Sequence, residues 1–394
     1  MQAQRLVYMD HAATTYVKPA VLSAMLPYFS EHYGNPSSVY ALGRETKAAI
    51  DSARDQVAAV LNAAKANEIY FTGGGTESDN WAIKGVAMAH AGRGKHIITT
   101  AIEHHAVLHT CQYLEKQGFD VTYLPVDSEG LVTAQQVGDA IRPDTILVSI
   151  MFANNEIGTI EPIEEIGAVC KKKGVLFHTD AVQAFGSVPI DVQRMHIDLL
   201  SLTAHKLYGP KGCGALYIRN GVRVDTFVHG GAQERGRRAS TENIAGIVGL
   251  GAAAELAHAR MEENRVRLSS LRDQLVQGIL NRVPYVRVNG SMEHRLPNNA
   301  NVCFEFIEGE SLLLLLDRAG IEASSGSACT SGSLEPSHVL LAIGLPHEIA
   351  HGSLRLTIGE CTTQEDVDYV LQTLPPIVAR LREMSPLYDA KKGE

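Results

Sequence analysis

Between residues 69 and 219 the chain alternates short β-branched or apolar runs with helix-length segments, and this alternation restricts the fold more than any other feature. Residues 69–72, 96–101, 121–126, 145–152, 175–179, 199–202 and 214–218 each have strand length and turn residues nearby. Helix-length segments at 77–91, 104–117 and 163–173 sit between several of them. A strand that passes through a helix to its next strand makes a right-handed crossover, so the spacing predicts a mostly parallel sheet covered on both faces. Ligands of such sheets collect at the carboxyl ends of the strands. Polar residues leaving those ends are therefore the first candidates for chemistry. After about Ser240 the texture changes. Residues 245–280 are rich in Ala, Leu, Glu and Arg, with glycine concentrated early, and read as a long or broken helix. Strands at 301–305 and 353–358 and helices at 309–319 and 363–383 follow, which predicts a second α+β domain hinged by the long helix.

Composition narrows the function classes. The 394 residues carry 35 Lys+Arg against 44 Asp+Glu, a net charge of -9, so neither a nucleic-acid-binding surface nor an anionic-membrane anchor is expected. No apolar run approaches the roughly 20 residues that span a bilayer, and the first residues lack a signal-peptide stretch. Six cysteines (Cys111, Cys170, Cys213, Cys303, Cys329, Cys361) are scattered without a C-x-x-C pair, which suits a reducing compartment better than a disulfide framework. A cytoplasmic protein is expected.

Three segments at strand ends carry the chemistry. Thr72-Gly73-Gly74-Gly75-Thr76-Glu77-Ser78 follows a strand and opens a helix. Free N–H groups and the positive end of the helix dipole make such a junction an anion site, although a glycine-rich turn alone is as often a tight connection. No Gly-Lys-[Ser/Thr] follows, so it is not a P-loop. His178-Thr179-Asp180-Ala181-Val182-Gln183 ends a second strand with an acid that must be hydrated, paired, capping or functional. Leu202-Thr203-Ala204-His205-Lys206 ends a third, and a lysine at that edge, before a Gly-Pro turn, can form a Schiff base. A phosphate cradle, an acid for a pyridine nitrogen and a Schiff-base lysine on neighbouring strand ends are what pyridoxal 5'-phosphate requires.

Two further segments carry candidate chemistry. In Glu103-His104-His105-Ala106-Val107-Leu108-His109, a helix would put His105 and His109 on one face, but no acidic or cysteine ligand follows at zinc-motif spacing and no metal site is expected. His104, at the strand-to-helix junction, could instead stack on an aromatic cofactor and move protons. In Ser324-Ser325-Gly326-Ser327-Ala328-Cys329-Thr330-Ser331-Gly332-Ser333, small residues flank Cys329 on both sides, which predicts an exposed and reactive thiol. Cys170 and Cys303 lie in apolar patterns and are expected to be packed and inert.

Taken together, these segments resemble the cysteine desulfurases of the NifS/IscS family, which are type I pyridoxal phosphate enzymes. The resemblance runs from Met9-Asp10-His11-Ala12-Ala13-Thr14-Thr15 to Leu381-Arg382-Glu383-Met384-Ser385-Pro386, and the compact cysteine loop is its most specific part. It implies an α/β, aspartate-aminotransferase-like fold: a mostly parallel seven-stranded sheet in a large domain, plus a smaller α+β domain. The expected division is residues 16–258 for the large, cofactor-binding domain and residues 1–15 with 259–394 for the small domain carrying the cysteine loop.

The family's roles carry over onto matching positions. Lys206 would hold the cofactor aldehyde, Asp180 would pair with its ring nitrogen, and His104 would stack on the ring. Asn155 and Gln183 would lie near the phenolic oxygen, while Gly75, Thr76, Thr203 and His205 would hold the phosphate. Thr241 would reach the phosphate of a neighbouring subunit, implying a homodimer. Arg355, with Asn155, would bind the substrate carboxylate, and Cys329 would take the sulfur of L-cysteine as a persulfide, releasing L-alanine. An iron–sulfur scaffold or another sulfur-acceptor protein would then be the partner. Selenocysteine lyase, or a related pyridoxal phosphate β-lyase, is the alternative activity. Thr203 stands where the family often has Ser, and Ser240 where it often has Gly.

Overall fold

A computed structural model describes residues 5–325 and 336–388 of the chain. Its strands are β1 (Val7–Tyr8), β2 (Ile69–Thr72), β3 (His96–Thr100), β4 (Asp120–Leu124), β5 (Thr145–Ser149), β6 (Leu176–Asp180), β7 (Leu199–Thr203), β8 (Gly214–Ile218), β9 (Val286–Val288), β10 (Asn299–Phe304), β11 (Ile321–Glu322) and β12 (Ser353–Thr357). Seven of them form one sheet in the order β2-β8-β7-β6-β5-β3-β4. Only β8 runs against the others, pairing antiparallel with both β2 and β7. The expected mostly parallel seven-stranded sheet is thus present, with strand limits unchanged for β2 and β8 and moved by up to three residues for the others. Residues 150–152 leave the strand expected over 145–152, yet Ile150 and Phe152 still donate to the carbonyls of His178 and Asp180, at 3.1 and 2.8 Å.

Six of the seven strands are buried almost throughout, as expected for a sheet sandwiched between helices, while the edge strand β4 is partly exposed. On one side the core includes Ile98, Val148, Phe177 and Leu200 packed with Val57, Leu61, Ile166 and Leu250. On the other, Ile97, Leu147, Leu199 and Leu216 pack against Trp81, Ile83, Val107 and Leu114 of the Gly75–His90 and His105–Glu115 helices. Alternate residues of one strand therefore face opposite cores, which is the period-two rule of a strand.

The expected long or broken helix is one unbroken helix, Ile244–Arg282, of 39 residues. Its first half joins the large core through Ala245, Leu250 and Ala254, and its second half joins a separate core through Leu268, Leu275 and Ile279. The early glycines let this helix lie directly on the Ala41–Leu61 helix: a Cβ at Gly251 would lie 2.8 Å from the Ala53 Cα. The second core is closed by the β12-β10-β9 sheet and by the Gly309–Arg318 and Gln364–Glu383 helices. The Gln364–Glu383 helix starts at a reciprocal cap in which the Thr363 hydroxyl accepts from Asp366 N–H and the Asp366 carboxylate accepts from Thr363 N–H. No helix among the described residues is long and apolar enough to cross a membrane.

Candidate active site

The carboxyl ends of β2, β3, β5, β6 and β7 lie at one edge of the sheet, and a cavity of about 450 Å³ opens there. Ten of the residues singled out in the sequence line it: Gly75, Thr76, His104, Asn155, Asp180, Gln183, Thr203, His205, Lys206 and Arg355. An adjoining, more open cleft of about 510 Å³ shares Gly75, Thr76, Thr203 and His205 and reaches Gly73, Gly74 and the exposed Lys211.

The glycine-rich junction is built as an anion cradle. Gly74 precedes the Gly75–His90 helix with φ +154° and ψ 179°, a conformation essentially closed to residues with a side chain. That backbone turns the free N–H groups at the start of a 16-residue helix toward the cleft. A Cβ at Gly75 would meet Val182 Cγ2 at 2.5 Å, so the close approach of helix and strand end also requires glycine.

Asp180 is the last residue of β6 and is buried. Its Oδ1 accepts from Val182 N–H at 2.9 Å. Burial pushes its carboxyl up to about 6, against the opposing pull of that N–H and of Lys206. Lys206 sits in the short 3-10 turn Ala204–Lys206 that leaves β7. Its Nζ donates to the carbonyls of Ala12 and, at 2.7 Å, Ala13, and Gln183 Nε2 donates to the same Ala12 carbonyl at 3.0 Å. The amine is thereby aimed into the cavity by the backbone of the N-terminal segment.

His104 caps the His105–Glu115 helix: its Nδ1 accepts from Ala106 N–H at 3.1 Å, which leaves the ring proton on Nε2. Burial, then the charge of Lys206, drives its pKa down to about 4, so the ring is neutral near pH 7. His205 is likewise driven down to about 4, by burial first and then by Lys206 and Lys211. Arg355, on β12, is sealed from solvent; it donates to Asp10 Oδ1 at 2.8 Å and to the Asn155 carbonyl at 2.9 Å. Its Nε is buried with no hydrogen-bond partner among the described residues, a donor left for an anionic ligand.

Two expected residues stand apart. Thr241 is exposed and lines a separate pocket of about 190 Å³ with Arg238, Ser240 and Glu242. Its neighbour Ser240 has φ +98°, the conformation for which glycine is suited. Cys329 lies within 326–335, outside the described residues. Both flanks of that segment are anchored beside the cavity. Ser324 exchanges backbone hydrogen bonds with Arg355, and the Ser325 carbonyl accepts from Ser353 Oγ at 2.8 Å. On the other side the Ser337 hydroxyl donates to Glu156, and His338 Nε2 lies 3.0 Å from the Glu103 carbonyl. The cysteines expected to be inert are packed: burial pushes the thiols of Cys170 up to about 12 and Cys303 up to about 11.

Sequence reasoning missed several functional neighbours. Asp79 lines the cavity, and one possible ligand atom of each of Asp79, His104 and Asp180 lies within 4.8 Å of the others. Glu103 is fully enclosed: Oε1 accepts from Thr100 Oγ1 at 2.7 Å and from Met151 N–H at 3.0 Å, while Oε2 has no partner among the described residues. Burial pushes Glu103 up to about 8. Asp10 could have been noticed only through its partner Arg355, 345 positions away. His105 and His109 stack with ring centres 5.0 Å apart, and His338 lies 4.8 Å from His105.

A lysine and a buried acid on adjacent strand ends, facing a glycine cradle across a mostly parallel sheet, define an α/β enzyme scaffold of the aminotransferase type. The comparisons with known proteins agree. The family model described as aminotransferase class-V matches residues 7–370. "Cysteine desulfurase IscS" from Clostridium botulinum (strain Hall) is 63% identical over 385 residues, covering 97% of each chain. The protein of the same name from Methanosarcina thermophila is 63% identical over 383 residues, covering 97% of this chain and 94% of its own. Among solved structures, a "NifS-like protein" superposes with a TM-score of 0.90 at 41% identity, covering 96% of this chain and 100% of its own. "SspA in complex with cysteine" superposes with a TM-score of 0.79 at 41% identity, covering 89% and 98%. The chain belongs to the aminotransferase class-V family, and within it to the cysteine desulfurases of the NifS/IscS group.

Proposed function

We propose that the chain is a pyridoxal 5'-phosphate-dependent cysteine desulfurase that releases L-alanine from L-cysteine and keeps the sulfur as a persulfide on Cys329. The observation that carries this reading is the convergence of Lys206, Asp180, His104 and Arg355 on one cavity. The residues present fit the cofactor on three counts, all in the lining of one cavity: a glycine cradle that a Cβ at Gly75 would fill, a buried acid, Asp180, and a lysine amine, Lys206. Bound there, the cofactor would supply an electron sink that makes the substrate Cα–H bond acidic.

The chain's own residues divide the remaining work. Gly75, Thr76, Thr203 and His205 would hold the phosphate, and Thr241 of one subunit would complete the cradle of its partner in a homodimer. Lys206 would hold the cofactor, and its amine is the base placed to take the Cα proton. Asp180 would hold the cofactor's ring nitrogen, Asn155 and Gln183 its phenolic oxygen and His104 its ring, with the His104 Nε2 proton available to the substrate. Arg355, assisted by Asn155, grips the substrate carboxylate through a planar fork of donors. Cys329, as thiolate, attacks the substrate sulfur; the S–S bond forms, the carbon–sulfur bond breaks, and a proton on the carbon gives L-alanine. Atoms and electrons balance without an outside oxidant: one cysteine and one thiol become one alanine and one persulfide.

The anchoring of residues 324–325 and 337–338 beside Arg355 and Glu103 supports the delivery of Cys329 to this cavity. The proposed division into 16–258 and 1–15 with 259–394 is supported by the separate apolar cores joined through the Ile244–Arg282 helix. A sulfur-acceptor protein, such as an iron–sulfur scaffold, and a cytoplasmic location complete the reading; the five described cysteines are all free thiols. The test is peptide mass spectrometry after incubating cofactor-loaded protein with L-cysteine and an alkylating reagent. One extra sulfur on the Cys329 peptide is expected. Loaded protein that turns over selenocysteine but gains no sulfur there would be a lyase.

A further inference from the structure

The cavity contains a second acid beside Asp180 that the reaction outlined above leaves idle. Asp79, on the first turns of the Gly75–His90 helix, is 1% exposed and lines the cavity wall. Its Oδ1 is sealed from solvent and has no hydrogen-bond partner among the described residues. The one basic atom paired with it, His178 Nε2, is 3.7 Å away, beyond hydrogen-bond reach. That imidazole is engaged by hydroxyls on both sides, Ser149 Oγ at 2.8 Å from Nδ1 and Ser201 Oγ at 3.0 Å from Nε2. Burial drives its pKa down to about 3, so it supplies no positive charge. The other titratable groups facing this corner are Asp180 from β6, Glu103 and His104 from the segment after β3, and Lys206 from the turn after β7.

We propose that Asp79 is a positioning residue, held as a neutral acid so that the carboxyl pair carries one negative charge and that charge resides on Asp180. The inference rests on the reading of Asp180 as the partner of the cofactor's ring nitrogen. Two ionised carboxylates less than 5 Å apart, at an effective dielectric constant of about 20, would cost more than a hundredfold in acidity. The pair therefore keeps one proton, and the surroundings decide where it sits. Asp180 has the Val182 N–H at 2.9 Å and the Lys206 charge to favour its ionised form. Asp79 faces enclosure first and then Asp180 itself, both raising its pKa, and Glu103 adds to them, against the smaller opposing pull of a hydrogen bond from Ser201. Only a neutral Asp79 leaves Asp180 free to hold a cation-like N–H across the cavity.

Infrared spectroscopy at pH 7 reads this directly. Wild-type protein labelled with ¹³C-aspartate should show the carbonyl stretch of a protonated, buried aspartic acid, displaced from that of Glu103 by the label. Asp79→Asn should abolish that band, bind pyridoxal phosphate within about threefold of the wild-type Kd, and keep the pH titration of the bound cofactor's absorption unchanged. Absence of the band from loaded wild-type protein, its survival in D79N, or a tenfold or greater loss of cofactor affinity in D79N would each overturn the inference. The labelled wild type needs no substitution, so a poorly folding variant does not rescue the idea. Wild-type protein that takes up no pyridoxal phosphate would instead refute the cofactor reading, and the positioning role with it, whatever the infrared spectrum shows.

Discussion

Glu103→Gln should make the protein less stable at pH 5 and more stable at pH 8. In the folded chain Glu103 is fully enclosed, its Oε1 accepts two hydrogen bonds, and its carboxyl is pushed up to about 8 from an ordinary value of 4.5. Because the folded value is the higher one, its stabilising contribution is complete below pH 4.5 and is lost as pH rises to 8. Over that window the unfolded chain gives up its proton while the folded chain keeps it. The slope is about 1.4 kcal/mol per pH unit, or nearly 3 kcal/mol between pH 5 and 7. Glutamine cannot titrate, so E103Q lacks this slope. It retains an oxygen for Thr100 and Met151 but buries an amide where Oε2 has no partner, a constant penalty of roughly 1–3 kcal/mol. The two stability curves must therefore cross between about pH 5 and 7. Urea denaturation of the apo-protein at pH 5, 6, 7 and 8 measures the difference directly. Parallel curves for wild type and E103Q would show that Glu103 ionises normally in the folded chain and would refute the burial argument.

Three other outcomes are expected. Arg355→Lys keeps the charge but loses the fork that holds Asp10 and leaves Nε for a ligand; kcat/KM for L-cysteine should fall roughly ten- to a hundredfold, mainly through KM, in steady-state assays of alanine release. Ser240→Gly relieves φ +98° at an exposed site and should raise stability by roughly 0.5–1 kcal/mol in thermal denaturation, where no change would place the strain elsewhere. If Thr241 serves the partner's cradle, inactive Lys206→Ala and weakened Thr241→Val chains should regain activity when mixed as heterodimers, because one of the two composite sites is then intact; a mixture no more active than its parts would refute the shared site.

The sheet was legible because its strands sit between turn residues and most of them are apolar on both faces. The antiparallel strand was not singled out, although the ten residues 204–213 between β7 and β8 are too few for a crossover, which takes about a dozen. The Ala41–Leu61 helix was not recognised because two of its buried positions, Thr46 and Arg54, are polar and interrupt the apolar period. Arg54 can be buried only because Glu234, 180 residues later, clasps it at 2.7 and 2.8 Å. The residues that touch the cofactor cradle declared themselves through local pattern, since glycine, acid and lysine each follow a strand. Asp10, Asp79 and Glu103 did not, because what makes them functional is a neighbour supplied by another part of the chain.

Those hidden residues share one physical consequence. Around the cavity, burial drives the acids Asp79, Glu103 and Glu156 toward their protonated forms and the imidazoles His104, His178 and His205 toward their neutral forms. The crevice is thus crowded with titratable groups yet poor in charge. Fixed charge is confined to Lys206, to Arg355 with Asp10, and to Asp180 once Asp79 holds the shared proton. In a low-dielectric site a few charges acting without competition determine how a zwitterionic amino acid and an anionic phosphate settle. Each additional ionised acid would offer the amine and the guanidinium a competing partner. Neutral acids at Asp79 and Glu103 would therefore leave Lys206 and Arg355 without competing partners. It follows that substitutions which fix either acid in its neutral form should disturb binding less than substitutions which place a permanent charge there, even where the side-chain volumes match.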